Sequence, residues 1–141
     1  MKKTASAEWS GGIKDGTGFI STETGALNRH PYGFKARFED GPGTNPEELI
    51  GAAHAGCFTM ALSGKLGEAG MTATRLSTKA TVSLEKSDGG FTITAVHLEL
   101  DAEIPGADQA KFDAAVKDAK ENCPVSKLLK ANITLDAKLQ A

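Results

Sequence analysis

Apolar and polar residues follow two periods along this chain. Alternation with a period of two predicts strands at 5–9, 16–23, 34–38, 78–85, 91–100 and 131–139. The alternation changes phase near Ala95, where we expect a β-bulge. A period of three to four predicts a helix at 45–65 and a second helix capped by Asp108, with an apolar stripe made of Phe112, Ala115, Val116 and Ala119.

The segment 45–65 has the clearest helix start in the chain. Asn45 is a favoured N-cap, Pro46 suits the first helical position, and Glu48 follows Asn45 by three residues, as in a capping box. The residues Leu49, Ala53, Cys57, Met60 and Gly64 recur at helical spacing and predict an inward stripe that includes the cysteine. The helix is rich in glycine and alanine, which let another backbone approach closely.

Size, charge and cysteine content limit the possible functions. The chain has 141 residues, which fits one domain, and a net charge of −2 without a basic block, which gives no reason to expect nucleic-acid binding. No apolar run reaches the length of a membrane span, and no apolar leader follows the first residues, so we expect a cytoplasmic protein. Two cysteines in a reducing compartment favour redox or metal chemistry over a structural disulfide.

The second cysteine lies next to a proline. Pro124 is expected to end one helix and begin another, which places Cys123 at an N-cap, where free N–H groups favour a thiolate. By local electrostatics, Cys123 is therefore the more activated thiol. Cys57 has a simpler interpretation as one more small buried hydrophobic residue, because burial without a cation raises a thiol pKa.

A reactive Cys57 therefore requires a nearby cation. The chain offers three arginines, namely Arg29, Arg37 and Arg75. Arg37 lies just before the central helix, where Glu47 or Glu48 is placed to hold its guanidinium, although by itself it reads as a surface arginine. Zinc is the competing use of the cysteines, since His54 and Cys57 are one helical turn apart and Cys123, His30 or His97 complete a possible ligand set.

The motifs around both cysteines resemble those of a known family. The segment 45–58, Asn-Pro-Glu-Glu-Leu-Ile-Gly-Ala-Ala-His-Ala-Gly-Cys-Phe, and the segment 123–126, Cys-Pro-Val-Ser, are similar to the paired motifs of the OsmC/Ohr family. Further likeness lies at 8–9, 21–25, 31–34 and 133–136, so the resemblance spans nearly all of the chain. The segment 14–17 has no arginine, which favours the osmotically inducible branch over the organic hydroperoxide resistance branch.

This resemblance implies a fold and an activity. The fold is an α+β intertwined homodimer, with central helices wrapped by antiparallel β-sheets, and residues 1–141 form a single OsmC-like domain. The activity is a thiol-dependent peroxidase for organic hydroperoxides, in which Cys57 attacks, Cys123 resolves the sulfenic acid into a disulfide, and Arg37 and Glu47 support the thiolate. The implied reductant is a dithiol of the dihydrolipoamide type, and neither metal nor haem is required.

Two physical expectations accompany the resemblance. About 15 Å of helix rise separates Glu47 from Cys57, so contact between the two requires a partner helix or a long arginine bridge, which argues for a dimer. Phe58 and Met60 are expected to line an apolar site that prefers alkyl or lipid hydroperoxides to hydrogen peroxide. A redox sensor that turns over once, or a stress protein that binds an apolar ligand, is the alternative function.

Overall fold

Six strands and four helices make up the fold. A computed structural model describes all residues, Met1–Ala141, and its elements divide into two compact units, Met1–Leu49 and Ile50–Ala141. Their order is β1 Ala5–Ser10, β2 Thr17–Thr22, β3 His30–Tyr32, α1 Phe34–Phe38, α2 Pro46–Glu68, β4 Arg75–Ser87, β5 Gly90–Glu103, α3 Gln109–Asn122, α4 Pro124–Leu128 and β6 Asn132–Gln140. None of the four helices combines the length and apolar character of a membrane span.

The first unit contains a three-stranded antiparallel sheet in the order β1-β2-β3. The two strands predicted at 5–9 and 16–23 are confirmed as β1 and β2, which pair as an antiparallel hairpin with Trp9 opposite Gly18. Trp9 and Tyr32 pack edge to face over that glycine, with ring centroids 5.5 Å apart. A Cβ at position 18 would lie only 2.5 Å from the Trp9 ring, so the aromatic pair requires glycine there.

The prediction of a strand at Phe34–Phe38 is wrong, because this segment forms the short helix α1. The Arg37 N–H donates to the Gly33 carbonyl at 3.1 Å, and the rings of Phe34 and Phe38 lie 5.1 Å apart, one helical turn from each other. Five residues are too few to separate a period of two from one of 3.6. The third strand of the sheet is instead β3, where the alternation predicted no strand.

Helix α2 begins as predicted and crosses from the first unit into the second. The Asn45 side chain caps it by accepting from the Glu48 N–H at 2.7 Å. Glu48 does not complete a reciprocal capping box, because its carboxylate accepts from the Thr44 hydroxyl at 2.7 Å. The helix ends at Glu68, three residues beyond the predicted segment 45–65, and Gly70 follows in the left-handed region.

The predicted inward stripe of α2 is also wrong, because Ala53, Met60 and Gly64 are exposed. The buried stripe consists of Gly51, His54, Phe58, Leu62 and Leu66. Most side chains in this helix are small, so the faces of the helix differ little in hydrophobicity. The buried face also contains the polar His54, which makes it harder to recognise from the sequence. Cys57 lies at the edge of that face and is partly buried.

The second unit packs α2 and α3 against a sheet in the order β4-β5-β6. The predicted bulge near Ala95 is confirmed, since Ser83 pairs with Ala95 while Leu84 pairs with Ile93, which leaves Thr94 without a partner. The sheet is not wholly antiparallel as the resemblance implied, because β6 runs parallel to β5. A parallel neighbour needs a long crossover, which α3 and α4 provide.

The predicted helix from Asp108 is confirmed, together with its cap and its apolar stripe. The Asp108 carboxylate accepts from the Lys111 N–H at 2.9 Å, and the four stripe residues, Phe112, Ala115, Val116 and Ala119, are buried in the core of the second unit. Phe112 is the largest of them and is 1% exposed. Its ring therefore contributes strongly to the stability of this unit.

Replacing Phe112 by alanine is expected to lower the free energy of unfolding by about 3–5 kcal/mol, because the loss of apolar burial adds to the cost of a cavity. Urea denaturation measures the change. Lys117→Ala, at an exposed position of the same helix, is the matched control and should stay within about 0.5 kcal/mol of wild type. Equal effects of the two substitutions would contradict this account of the core.

Candidate active site

The second unit brings the two thiols together. Cys57 lies in the middle of α2, and Cys123 lies between α3 and α4, where it caps α4 as the sequence predicted. Both cysteines are free, and the Cys57 thiol lies near enough to the Cys123 thiol and the Val125 backbone for both to shift its pKa. The arrangement juxtaposes the two sulfur atoms that disulfide chemistry would require.

The surroundings of Cys57 within this unit favour its protonated form. Burial raises the pKa of the Cys57 thiol, the backbone hydrogen bond from Val125 lowers it, and the Cys123 thiol raises it further. The only arginine of this unit is Arg75, which pairs with Asp101 and Glu103 at 3.3 and 3.4 Å. The second unit therefore supplies no arginine to activate Cys57.

The buried sulfur of Cys123 continues into a short chain of polar side chains. The Cys123 thiol donates to Ser126 Oγ at 3.1 Å, and Ser126 Oγ lies 2.8 Å from His54 Nε2. In the sequence, His54 was given a role only as a possible zinc ligand, and Ser126 appeared only as the last residue of the Cys-Pro-Val-Ser motif. The available signal was the position of Ser126 in the first turn of a helix capped by Cys123.

The first unit pairs Arg37 with Glu47. Arg37 donates through Nε and Nη2 to Glu47 Oε1 at 3.1 and 2.8 Å, whereas Glu48 is engaged by Thr44. This geometry chooses between the two glutamates that the sequence left open. Glu47 is buried, and its second oxygen, Oε2, has no hydrogen-bond partner. The ion pair thus carries a carboxylate oxygen and two Arg37 amino groups with unused bonding capacity.

An aromatic cavity lies beside this ion pair within the first unit. Its volume is about 200 Å³, and its walls are formed by Arg37 together with the rings of Trp9, Tyr32, Phe34 and Phe38, plus Ile13. The Arg37 guanidinium lies 5.4 Å from the centre of the Phe38 ring. The cavity therefore joins an apolar surface to a cation, which suits an organic molecule with a polar end.

The remaining candidate residues have other partners. Arg29 forms an ion pair with Glu8 on the exposed face of the first sheet. His97 lies between Thr134 and Asp136 on the second sheet, at 2.6 and 3.1 Å from their oxygens. No group of three or more histidine, cysteine or carboxylate side chains is arranged to hold a metal ion. Phe58 is fully buried in the core and does not line an open site, contrary to the sequence expectation.

Comparison with known proteins defines the family. A family model described as OsmC-like protein matches residues 39–138. Peroxiredoxin OsmC of Escherichia coli is 56% identical over 141 residues, which cover 100% of this chain and 99% of that protein. The organic hydroperoxide resistance protein of Xanthomonas axonopodis pv. citri is 34% identical over 104 residues, covering 70% of this chain and 68% of that protein. The chain belongs to the OsmC-like family.

Solved structures of similar proteins support the same fold. The organic hydroperoxide resistance protein OhrB of Bacillus subtilis has a TM-score of 0.67 and 29% identity, covering 97% of this chain and 98% of that one. An OsmC-like protein from Mycoplasma pneumoniae has a TM-score of 0.78 at 14% identity, over 100% of this chain and 99% of that one. At this identity the likeness supports the fold alone. The α+β fold and the family inferred from the sequence are thus confirmed.

The buried His54 ring makes stability depend on pH. Burial lowers the pKa of His54 below its ordinary value of 6.5, so the unfolded chain binds a proton more readily than the folded one. The neutral ring contributes fully to the free energy of unfolding at pH values above the pKa of His54 in the unfolded chain. This contribution is lost as the pH falls from that pKa toward the lower pKa of His54 in the folded chain. Replacing the ring by an uncharged amide removes this contribution.

We therefore expect wild type to lose more unfolding free energy than His54→Gln between about pH 7.5 and about pH 5.5. Urea denaturation of the reduced proteins at both pH values measures the difference. Lys117→Ala again serves as the control and should follow wild type. Parallel losses in wild type and His54→Gln would show that the ring does not set this pH dependence.

Proposed function

We propose that this protein is a thiol-dependent peroxidase that reduces organic hydroperoxides to alcohols in defence against oxidative or osmotic stress. The observation that carries the proposal is the pair of free thiols, Cys57 and Cys123, which lie close enough for one to shift the pKa of the other. The names of the relatives, a peroxiredoxin and organic hydroperoxide resistance proteins, support a peroxide-detoxifying activity. The proposal assigns the attack to Cys57, because this sulfur is partly exposed whereas Cys123 is buried.

The proposed reaction begins with attack of the Cys57 thiolate on the terminal peroxide oxygen. The O–O bond breaks, the alkoxide takes a proton and leaves as alcohol, and Cys57 becomes a sulfenic acid. The Cys123 sulfur then attacks the Cys57 sulfur and expels the hydroxyl group, which leaves as water, to form a disulfide. No metal or haem takes part in any of these steps.

Arg37 and Glu47 are proposed to activate this chemistry. Burial raises the Cys57 pKa, and the arginine of its own unit is already paired, so the cation has to come from elsewhere. Arg37 is held by Glu47 with amino groups to spare. In the assembled protein, its hydrogen bonds would stabilise the thiolate and the developing alkoxide. The aromatic cavity beside Arg37 would hold the organic part of the peroxide.

A dithiol of the dihydrolipoamide type is the proposed reductant. Its first thiolate attacks the Cys57 sulfur and releases Cys123, and its second thiol closes a ring that expels Cys57 as a thiol. The disulfide passes to the dithiol, and both protein thiols return. A reducing compartment suits this cycle, so the proposed location is the cytoplasm.

The proposed assembly is a homodimer of single OsmC-like domains, each comprising residues 1–141. Helix α2 supports it, because its exposed positions between 52 and 67 are uncharged and mostly small, namely Ala52, Ala53, Gly56, Met60, Ser63, Gly64 and Gly67. Nothing lies within 4 Å of a Cβ placed at Gly56, Gly64 or Gly67, whereas Met60 is 79% exposed. A second copy of this helix would bury that face. The full-length match to the Escherichia coli protein supports the single domain.

Steady-state consumption of cumene hydroperoxide with dihydrolipoamide tests the function. Wild type should turn over, and Cys57→Ser should fall to the background rate because the nucleophile is gone. When dihydrolipoamide is left out, Cys123→Ser should consume one equivalent and remain as a sulfenic acid, which dimedone captures. Undiminished turnover in Cys57→Ser would place the nucleophile elsewhere, and a single turnover in wild type would indicate a sensor.

Sedimentation equilibrium tests the assembly. Wild type should have twice the 14.7 kDa mass of one chain. Met60→Glu puts a charge into the proposed interface and should shift the protein toward monomer, since an unpaired buried charge is costly. Lys117→Glu, on the exposed face of α3, is the matched control and should remain dimeric. A monomeric wild type would contradict the assembly.

A further inference from the structure

The chain of polar side chains behind Cys123 is buried along its whole length. Cys123, Ser126 and His54 are 1%, 8% and 0% exposed. Sulfur to hydroxyl is 3.1 Å, and hydroxyl to His54 Nε2 is 2.8 Å, both within hydrogen-bond range. The three groups thus form a continuous path for a proton that starts at a thiol and avoids solvent.

Local structure aligns this path. Ser126 lies in the first turn of α4, and its backbone N–H donates to Cys123 Sγ at 3.4 Å, which holds the sulfur against the hydroxyl. His54 precedes Cys57 by one turn of α2, so one helix carries both the attacking thiol and the far end of the path. Disulfide formation at Cys57 therefore takes place beside the histidine.

The second nitrogen of His54 has no structural use. Nδ1 is buried and has no hydrogen-bond partner. Since the Cys123 thiol donates to Ser126, the Ser126 hydroxyl is free to donate to Nε2, which leaves Nδ1 as the unpaired N–H. A buried N–H without a partner costs about 1–3 kcal/mol. If the ring served only to fill the core, nothing would offset this cost.

We propose that Ser126 and His54 relay the proton of Cys123. As the Cys123 sulfur attacks the Cys57 sulfur, its proton moves to Ser126 Oγ while the Ser126 proton moves to His54 Nε2. The S–O bond of the sulfenic acid breaks, the hydroxide leaves, and the proton returned by His54 through Ser126 converts it into water.

This inference rests on the proposed function for the role of Cys123 as the resolving thiol. Ser126 contacts the reacting sulfur, whereas His54 acts through Ser126 and is a positioning residue. Without the relay, a buried thiol must lose its proton to a solvent it does not touch. The relay therefore affects resolution and not the attack of Cys57 on peroxide.

The surroundings leave His54 ready to accept a proton. Ser126 bonds to the ring and links it to the Cys123 thiol, and Cys57 follows His54 by three residues on α2. The part of β4 under this stretch of α2 presents Ala80 and Val82, which do not ionise. Burial alone shifts the His54 pKa, and it lowers that pKa below 6.5, so the ring is neutral at neutral pH.

The test isolates the attack by Cys123 without peroxide. An aromatic disulfide reagent, 4,4′-dithiodipyridine, reacts with Cys57 and releases one thiopyridone. Cys123 then displaces the second thiopyridone as it closes the protein disulfide. Stopped-flow absorbance separates the two phases in wild type and in the variants, all as full-length reduced protein.

The second phase should slow about 10²-fold in both Ser126→Ala and His54→Gln, as expected for loss of general acid–base assistance. Ser126→Thr keeps the hydroxyl and should restore the rate. In wild type the second phase should lose rate only on the acid side of the ordinary histidine pKa of 6.5, because burial lowers the pKa of His54 and only the protonated ring cannot accept a proton. His54→Gln, which keeps a hydrogen bond but cannot take a proton, should lack that step.

The matched control is Thr59→Val. It removes a hydroxyl on α2 that hydrogen-bonds to Thr78 at 2.7 Å and lies outside the path. It should keep both phases at wild-type rates. A wild-type second-phase rate and pH profile in His54→Gln, or a Ser126→Thr variant as slow as Ser126→Ala, would overturn the relay.

A parallel measurement with cumene hydroperoxide and dimedone keeps the two hypotheses apart. If the relay holds, His54→Gln should accumulate more trapped sulfenic acid than wild type during turnover. Absence of any sulfenic acid in wild type would sink the peroxidase, whereas the disulfide reagent would still report on the relay. If sulfenic acid forms and is trapped equally in wild type and His54→Gln, the relay alone would be contradicted.

Discussion

Burial of one face of α2 against the sheet of the second unit is the constraint on which this site depends. Phe58, Leu62 and Leu66 of α2 share a core with Val96 and Leu98 of β5. Near the start of that face Gly51 lies against β4, where a Cβ would be 3.4 Å from Val82. The close approach orients the helix so that Cys57 is at the edge of the core, beside the loop that carries Cys123.

The same burial creates the chemical problem that the rest of the site has to solve. A thiol at the edge of an apolar core is harder to ionise, and burial is the largest effect on Cys57. The second unit provides only a backbone N–H and a second thiol near Cys57, and its one arginine is already paired with carboxylates. Activation therefore requires a cation held by other residues, and the Arg37–Glu47 pair is the group we propose for that role.

Two buried side-chain atoms lack partners, and both belong to α2. They are Glu47 Oε2 in the first unit and His54 Nδ1 in the second. Buried polar atoms without hydrogen bonds are rare in folded proteins because each one destabilises the fold. Their location on the helix that carries Cys57 is consistent with selection for chemistry at the expense of stability.

The features predicted correctly from sequence depend on neighbouring residues. The Asn45, Asp108 and Cys123 caps are local hydrogen bonds, and the bulge opposite Ser83 follows from a change of phase within one strand. The paired cysteine motifs identified the family for the same reason, since each is a short run of residues. Local patterns of this kind are enough to lay out most elements of the second unit.

Tertiary structure decided what no local pattern encodes. Five residues at Phe34–Phe38 fit either period, and packing of Ala36 and the two rings selected the helix. The buried face of α2 was set by the sheet beneath it, because small residues on all sides leave the hydrophobic pattern weak. His54 and Ser126 meet across 72 positions, and Arg37 selects Glu47 over Glu48 because Thr44 already holds the latter. Such contacts follow from the packing of whole elements, which sequence spacing alone does not determine.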